Sequence, residues 1–187
     1  MKARPLRRGL SMALLAVSTA ALCGASSVDN RSGRITATFT QMGVPVDADF
    51  TAFSGSIDFD PANPGAARAH LRVQVASFDI GDAEYNAEVR KPVWFDAARH
   101  PQASFTSTAI KPAGTAGLQV QGRFTLKGRS RDVSIPVTVA TTGATRTFTG
   151  QFAIKRLDYG IGEGEWRDTD VLADQVVIRF RIASAPE

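Results

Sequence analysis

Sulfur and imidazole are scarce in this sequence. Its 187 residues include one cysteine, three methionines and two histidines. Cys23 lies in the N-terminal apolar stretch. The rest of the chain therefore has no disulfide framework, no thiol nucleophile and no cysteine-based metal site. His70 and His100 belong to no H-x-x-x-H pattern or acidic cluster, so no metal is expected. There is no G-x-S-x-G nucleophile elbow and no phosphate-cradling loop. Glu163, Glu165, Asp168 and Asp170 crowd one segment. They read as a solvated loop rather than a general acid and base. No catalytic residue is expected, and the protein is not expected to be an enzyme.

Long apolar runs are also missing, apart from Leu10–Leu22. That run is too short to span a bilayer comfortably. Lys2, Arg4, Arg7 and Arg8 precede it, and Gly24, Ala25 and Ser26 follow. This is the layout of a secretory signal peptide. Residues 1–25 are expected to be cleaved, leaving a periplasmic domain at 26–187. Leu22 stands where a lipidated Cys23 would want a small residue. Four of the 22 basic residues and none of the 18 acidic ones lie in residues 1–25, which leaves 18 of each beyond. The basic balance thus belongs to the targeting segment, and no nucleic-acid partner is expected.

What the chain does have is alternation with a period of two. Ile35, Ala37 and Phe39 alternate with threonines. Leu71, Val73 and Val75 alternate with Arg72 and Gln74. Leu118, Val120, Phe124 and Leu126 keep one phase through Gly122, and Val133, Ile135, Val137 and Val139 keep another. Phe148, Phe152 and Ile154 form a further set, and Val176, Ile178, Phe180 and Ile182 the last. Phe50 is out of phase with Phe53, Ile57 and Phe59, which calls for a bulge or bend near 51–53. Turn residues separate the runs. About eight strands follow, near 34–41, 46–60, 67–77, 102–111, 117–127, 131–140, 145–156 and 174–184. Residues 81–101 break the pattern. Asp82 is placed to cap a short helix with Glu84 in its first turn, and Pro92 interrupts it. Residues 157–174 form a second irregular insertion.

The fold class is therefore all-β: an extended eight-stranded antiparallel barrel, lipocalin-like, with a short helical insertion. Such a barrel is filled by side chains or holds one small ligand. The inward set is large at Phe39, Phe53, Phe105, Phe124, Phe148, Phe152 and Phe180, and small at Ala37, Ala69, Ala103, Gly122 and Gly150. Small inner residues either leave room for a guest or match the taper of a packed core. The candidate lining of a lipid tunnel adds Phe50, Ile57, Leu71, Val73, Val75, Phe78, Leu126, Ile135, Ile154 and Ile178. Val89, Trp94 and Phe95 join it from the 81–101 insertion, which has the composition of a lid. An outer-membrane barrel would alternate too, but two tryptophans make a poor aromatic girdle.

Several segments resemble the YceI-like family of lipid-binding proteins. Phe50-Thr51-Ala52-Phe53-Ser54-Gly55-Ser56-Ile57-Asp58-Phe59-Asp60-Pro61 is similar to the family's F-x-x-F-x-G-x-I-x-F-D-P. Ala76–Gly81 resembles A-S-[VIF]-D-T-G, and Trp94–Pro101 with Ser104–Ser107 resembles F-F-D-A-x-K-Y-P-x-x-x-F-x-S. Gly122–Gly128 is similar to G-x-L-T-I-K-G, and Arg156–Gly162 to R-x-D-F-G-[VI]-G. The resemblance implies a long internal pore for a polyisoprenoid, an isoprenoid quinone or a fatty amide. It implies no cofactor beyond such a bound lipid, and it leaves a homodimer open. A quinone ligand would imply a membrane redox protein as partner. The chain departs from the family where Tyr85-Asn86-Ala87-Glu88-Val89-Arg90-Lys91 replaces the R-D-x-H-L-R-S stretch. Tyr85, Arg90 and Lys91 are the candidates for meeting a polar head group. A second reading is a filled barrel acting through protein contacts in the envelope. Asp79 and Arg156, both in motif turns, are expected to hold loop backbone and each other. His70, on a polar strand face, is expected to be solvated.

Overall fold

The computed structural model describes residues 26–115 and 117–184. The expected signal peptide lies outside the described residues. The strands are β1 (Ser26–Gln41), β2 (Val44–Phe50), β3 (Phe53–Asp58), β4 (Arg68–Gln74), β5 (Phe78–Asp79), β6 (Gln102–Ala113), β7 (Gly117–Leu126), β8 (Arg129–Thr142), β9 (Thr145–Lys155) and β10 (Leu172–Ser184). β2 and β3 pair with opposite ends of β1, and they are one long strand broken at Thr51–Ala52. β4 and β5 are likewise one strand, interrupted by a turn at Val75–Ser77. Eight antiparallel staves result. Pairing of Ile35 with Phe180 and of Ala37 with Ile178 joins the first stave to the last and closes the barrel. Closure removes the exposed strand edge that an open sheet would present.

The break at Thr51–Ala52 is the phase change required between Phe50 and Phe53. Phe53 and Ile57 are both buried after it. β1 begins eight residues earlier than the alternation suggests, and its register with β10 is irregular between Asp29 and Arg34. β6 holds a bulge that the sequence reading lacks. Ser107 pairs with Gly122 and Ala109 with Gln121, so Thr108 is the extra residue. Past the bulge the inward phase shifts by one, and Ile110 is buried. The buried Ser107 hydroxyl accepts a hydrogen bond from the Ala69 amide at 2.9 Å.

Alternation resolves in one direction. Inward-facing residues are largely buried, whereas Gln121, Arg123, Ser134, Thr138, Thr149, Gln151, Arg179 and Arg181 are exposed on the outside. A lipid-facing barrel has the opposite arrangement. No helix among the described residues is long and apolar enough to cross a membrane. His70 is half-buried rather than solvated: Nδ1 lies 2.9 Å from the Thr106 hydroxyl of the neighbouring strand, and Nε2 is buried without a partner.

The helical insertion forms as its capping residue requires. α1 (Ala83–Glu88) starts at Asp82, whose carboxylate accepts from the Glu84 and Tyr85 amides at 2.9 and 3.1 Å. Two turns later the Asp96 carbonyl accepts from the Arg99 and His100 amides. The segment folds over one end of the barrel as a lid.

Candidate functional site

Two chambers occupy the interior. The upper one, under the lid, has a volume of about 310 Å³. The lower one has about 100 Å³. Ile35, Val73, Ala103, Phe124 and Ile178 line both, so they form a shared waist. They come from β1, β4, β6, β7 and β10, and every one is apolar.

The upper chamber takes Phe39, Phe50, Val75, Phe78, Val89, Trp94, Phe95, Leu126 and Ile154 from the expected lining. Phe50, Phe78 and Phe95 meet one another at 5.7–6.1 Å between ring centroids. Trp94 packs on Trp166 at 5.3 Å. The lower chamber takes Ile57, Leu71, Phe105, Ile135, Phe148, Phe152 and Phe180. Phe53 lines neither. It is buried on the inner face beside Val73, immediately after the strand break, and belongs to the wall's own packing.

The small inner residues divide into two kinds. A Cβ on Gly122 would sit 2.4 Å from the Phe105 ring, and one on Gly150 would sit 2.7 Å from the Phe180 ring. Those glycines are covered by aromatic rings and contribute no space. Ala37, Ala69 and Ala103 instead line the chambers and leave volume open.

Among the head-group candidates, Tyr85 lines the upper chamber and is 52 % exposed, so it stands at the rim. Arg90 and Lys91 are exposed and do not line the chamber. α1 ends at Glu88 with Val89 as its C-cap, so Arg90 and Lys91 lie past the helix that presents Tyr85, Glu88 and Val89 to the chamber. Lys91 pairs with Glu88. Asp79 and Arg156 do not hold each other. Asp79 accepts from the Gly81 amide and the Asn86 side chain, both at 2.8 Å. Those bonds, the backbone one foremost, keep its carboxyl below the usual carboxylate range.

Arg156 is a lining residue that the sequence reading did not place in the site. It is 2 % exposed. Its five N–H groups go to the carbonyls of Ala173, Ile161, Gly162, Trp166 and Leu172. Burial pushes its pKa down, and the Asp174 charge offsets part of that. With every donor engaged, it pins the 157–172 loop and has none left for a ligand. Trp94 Nε1 is buried with no hydrogen-bond partner. Trp166 was also missed: its signal was a lone tryptophan in an otherwise polar, acidic loop. Ile35 and Val176 carried the alternation signal, whereas Ile161 lay in the irregular loop.

A closed antiparallel barrel, polar outside and with two apolar chambers under a lid, defines a lipocalin-like β-barrel. The YceI-like domain model matches residues 27–184, and the chain belongs to that family. BcnA of Burkholderia cenocepacia has a solved structure that is 45% identical, with a TM-score of 0.82, over 83% of this chain and 98% of that one. A UPF0312 protein of Shewanella baltica is 29% identical over 169 residues, 83% of this chain and 88% of its own. A polyisoprenoid-binding domain from Saccharophagus degradans shares the fold at 20% identity and a TM-score of 0.69, covering 87% of this chain and 99% of its own.

Proposed function

We propose that this protein encloses and carries a long-chain apolar amphiphile, a polyisoprenoid, isoprenoid quinone or fatty amide, in the periplasm. The observation that carries this reading is the pair of apolar chambers, stacked under the lid and sharing five apolar lining residues, a layout that suits a chain threaded from one to the other. Each buried CH₂ contributes about 0.8 kcal/mol, so the lumen supplies most of the affinity after association costs. The polyisoprenoid-binding domain of the same fold supports the ligand class. Arg156 has no free donor to offer a polar head, and the remaining lining is almost wholly apolar, so the enclosed end of the ligand is the hydrocarbon chain. Binding without chemistry is the activity. The periplasmic assignment rests on the signal-like residues 1–25.

Native mass spectrometry of protein purified without detergent tests the reading. An extractable apolar mass, or stoichiometric uptake of polyprenol or quinone analogues, is the expected result. No such mass and no uptake of any analogue would overturn it in favour of a barrel that acts through protein contacts. N-terminal sequencing of exported protein tests the cleavage near Ala25.

A further inference from the structure

Four large hydrophobic residues are exposed among the described residues: Met42 at 76%, Val44 at 61%, Tyr85 at 52% and Val171 at 38%. They are not scattered. Three segments supply them: the β1–β2 hairpin tip, α1, and the loop that precedes β10. The same three segments line the upper chamber, through Gln41 and Val46, through Tyr85 and Val89, and through Trp166 and Leu172. The Met42 amide donates to the Val171 carbonyl at 2.8 Å, which ties two of the tips together. Apolar surface exposed on the segments that wall a greasy chamber has a cost in water.

We infer that this rim is a docking surface for a zwitterionic phospholipid bilayer, from which the chain ligand passes directly into the upper chamber. The inference rests on the carrier reading. A ligand that is nearly insoluble in water has to be collected from a lipid phase, and the rim is continuous with the chamber that receives it. Shallow insertion of a few apolar side chains is reversible, as loading and release require. Charge selects the surface. Within the three segments Asp47, Asp82, Glu84, Asp168 and Asp170 outnumber Arg90 and Arg167; Glu88 is paired with Lys91, and Arg179 of β10 lies 3.7 Å from Asp47. Anionic lipid would be repelled.

The test uses the whole protein with Met42→Asn, Val44→Thr and Val171→Thr combined. None of the three lines either chamber. Asparagine tolerates the positive φ of 49° at position 42. Transfer of a fluorescent polyprenol analogue from phosphatidylcholine vesicles is followed, with flotation of the empty protein on the same vesicles. The expected result is a transfer rate that rises with vesicle concentration and falls about tenfold in the triple variant. Flotation falls with it, and adding phosphatidylglycerol weakens both. A short-chain analogue delivered from solution keeps its affinity in the variant. Equal transfer by both proteins, no flotation, or a rate independent of vesicle concentration would overturn the docking surface and leave the carrier intact. If the short analogue does not bind either protein, the carrier reading has failed instead.

Discussion

Ala103 is the residue at which the two chambers can be disconnected. It is 7% exposed, pairs with Val73, and lines both spaces. Ala103→Leu puts a branched side chain into the waist. The chain segment excluded is then whatever the lower chamber holds. At about 30 Å³ per water-sized group, its volume of about 100 Å³ takes about three methylene-sized groups. At about 0.8 kcal/mol each, that is about 2.4 kcal/mol, or about fiftyfold in Kd. The assay is titration of two analogues with the same head, one long and one short enough for the upper chamber. The long one is expected to weaken about fiftyfold and the short one by less than about threefold. Thermal unfolding supplies an independent readout. An open waist accommodates the leucine with little change in Tm, whereas a filled one costs about 1–3 kcal/mol through overpacking. Equal loss for both analogues, or no loss for the long one, would refute the two-chamber lumen.

Arg156→Met leaves five carbonyls without their donor and is expected to cost about 3 kcal/mol or more in a denaturant titration, with Arg156→Lys falling between. Gly122→Ala drives a methyl to 2.4 Å from the Phe105 ring and 2.6 Å from the Thr106 carbonyl. It is expected to destabilise by about 1–3 kcal/mol, and Phe105→Leu in the same chain should restore part of the loss. Asp79 gives a pH signature: its folded-state pKa is the lowered one, so its contribution is full above about pH 4 and is lost as pH falls through the folded value. Amide exchange at Gly81 is expected to be flat from about pH 5 to 8, after correction for intrinsic rates, and to lose protection only below about pH 4.

The barrel was legible because alternation reports burial directly. The phase conflict between Phe50 and Phe53 even located the break at Thr51–Ala52. Alternation says nothing, however, about which inward residues meet one another across strands. Gly122 and Ala103 both read as small inner positions. One lies under the Phe105 ring and the other opens onto the lumen, and cross-strand register alone separates them. The β6 bulge carried a similar signal, since Phe105 and Ile110 lie on opposite phases, but Thr106-Ser107-Thr108-Ala109 between them has no large apolar residue to mark where the extra one falls. That Arg90 and Lys91 fall outside the chamber lining was not legible, because the helix stops at Glu88 and its end is set by the turn that follows.

The two ends of the barrel are held by different forces, and this bears on how a guest enters. At the lower end, Ile57, Ile110, Leu118, Ile135 and Ile182 pack as core, and rings cover the glycines. The upper end keeps the larger empty volume, so apolar contact cannot fix its shape alone. Two polar hubs do so. Arg156 gathers five carbonyls of the 157–172 loop and the start of β10. Asp79 and Asn86 close the turn that leads into α1, with the Asn86 carbonyl oxygen accepting from the Ile80 amide at 3.1 Å. Each hub lies within its own loop; between the two loops, the Val93 carbonyl accepts from the Gly162 and Glu163 amides at 2.9 and 3.4 Å. Parting the lid from the acidic loop therefore breaks those two backbone bonds as well as the Trp94–Trp166 contact, while both hubs stay intact.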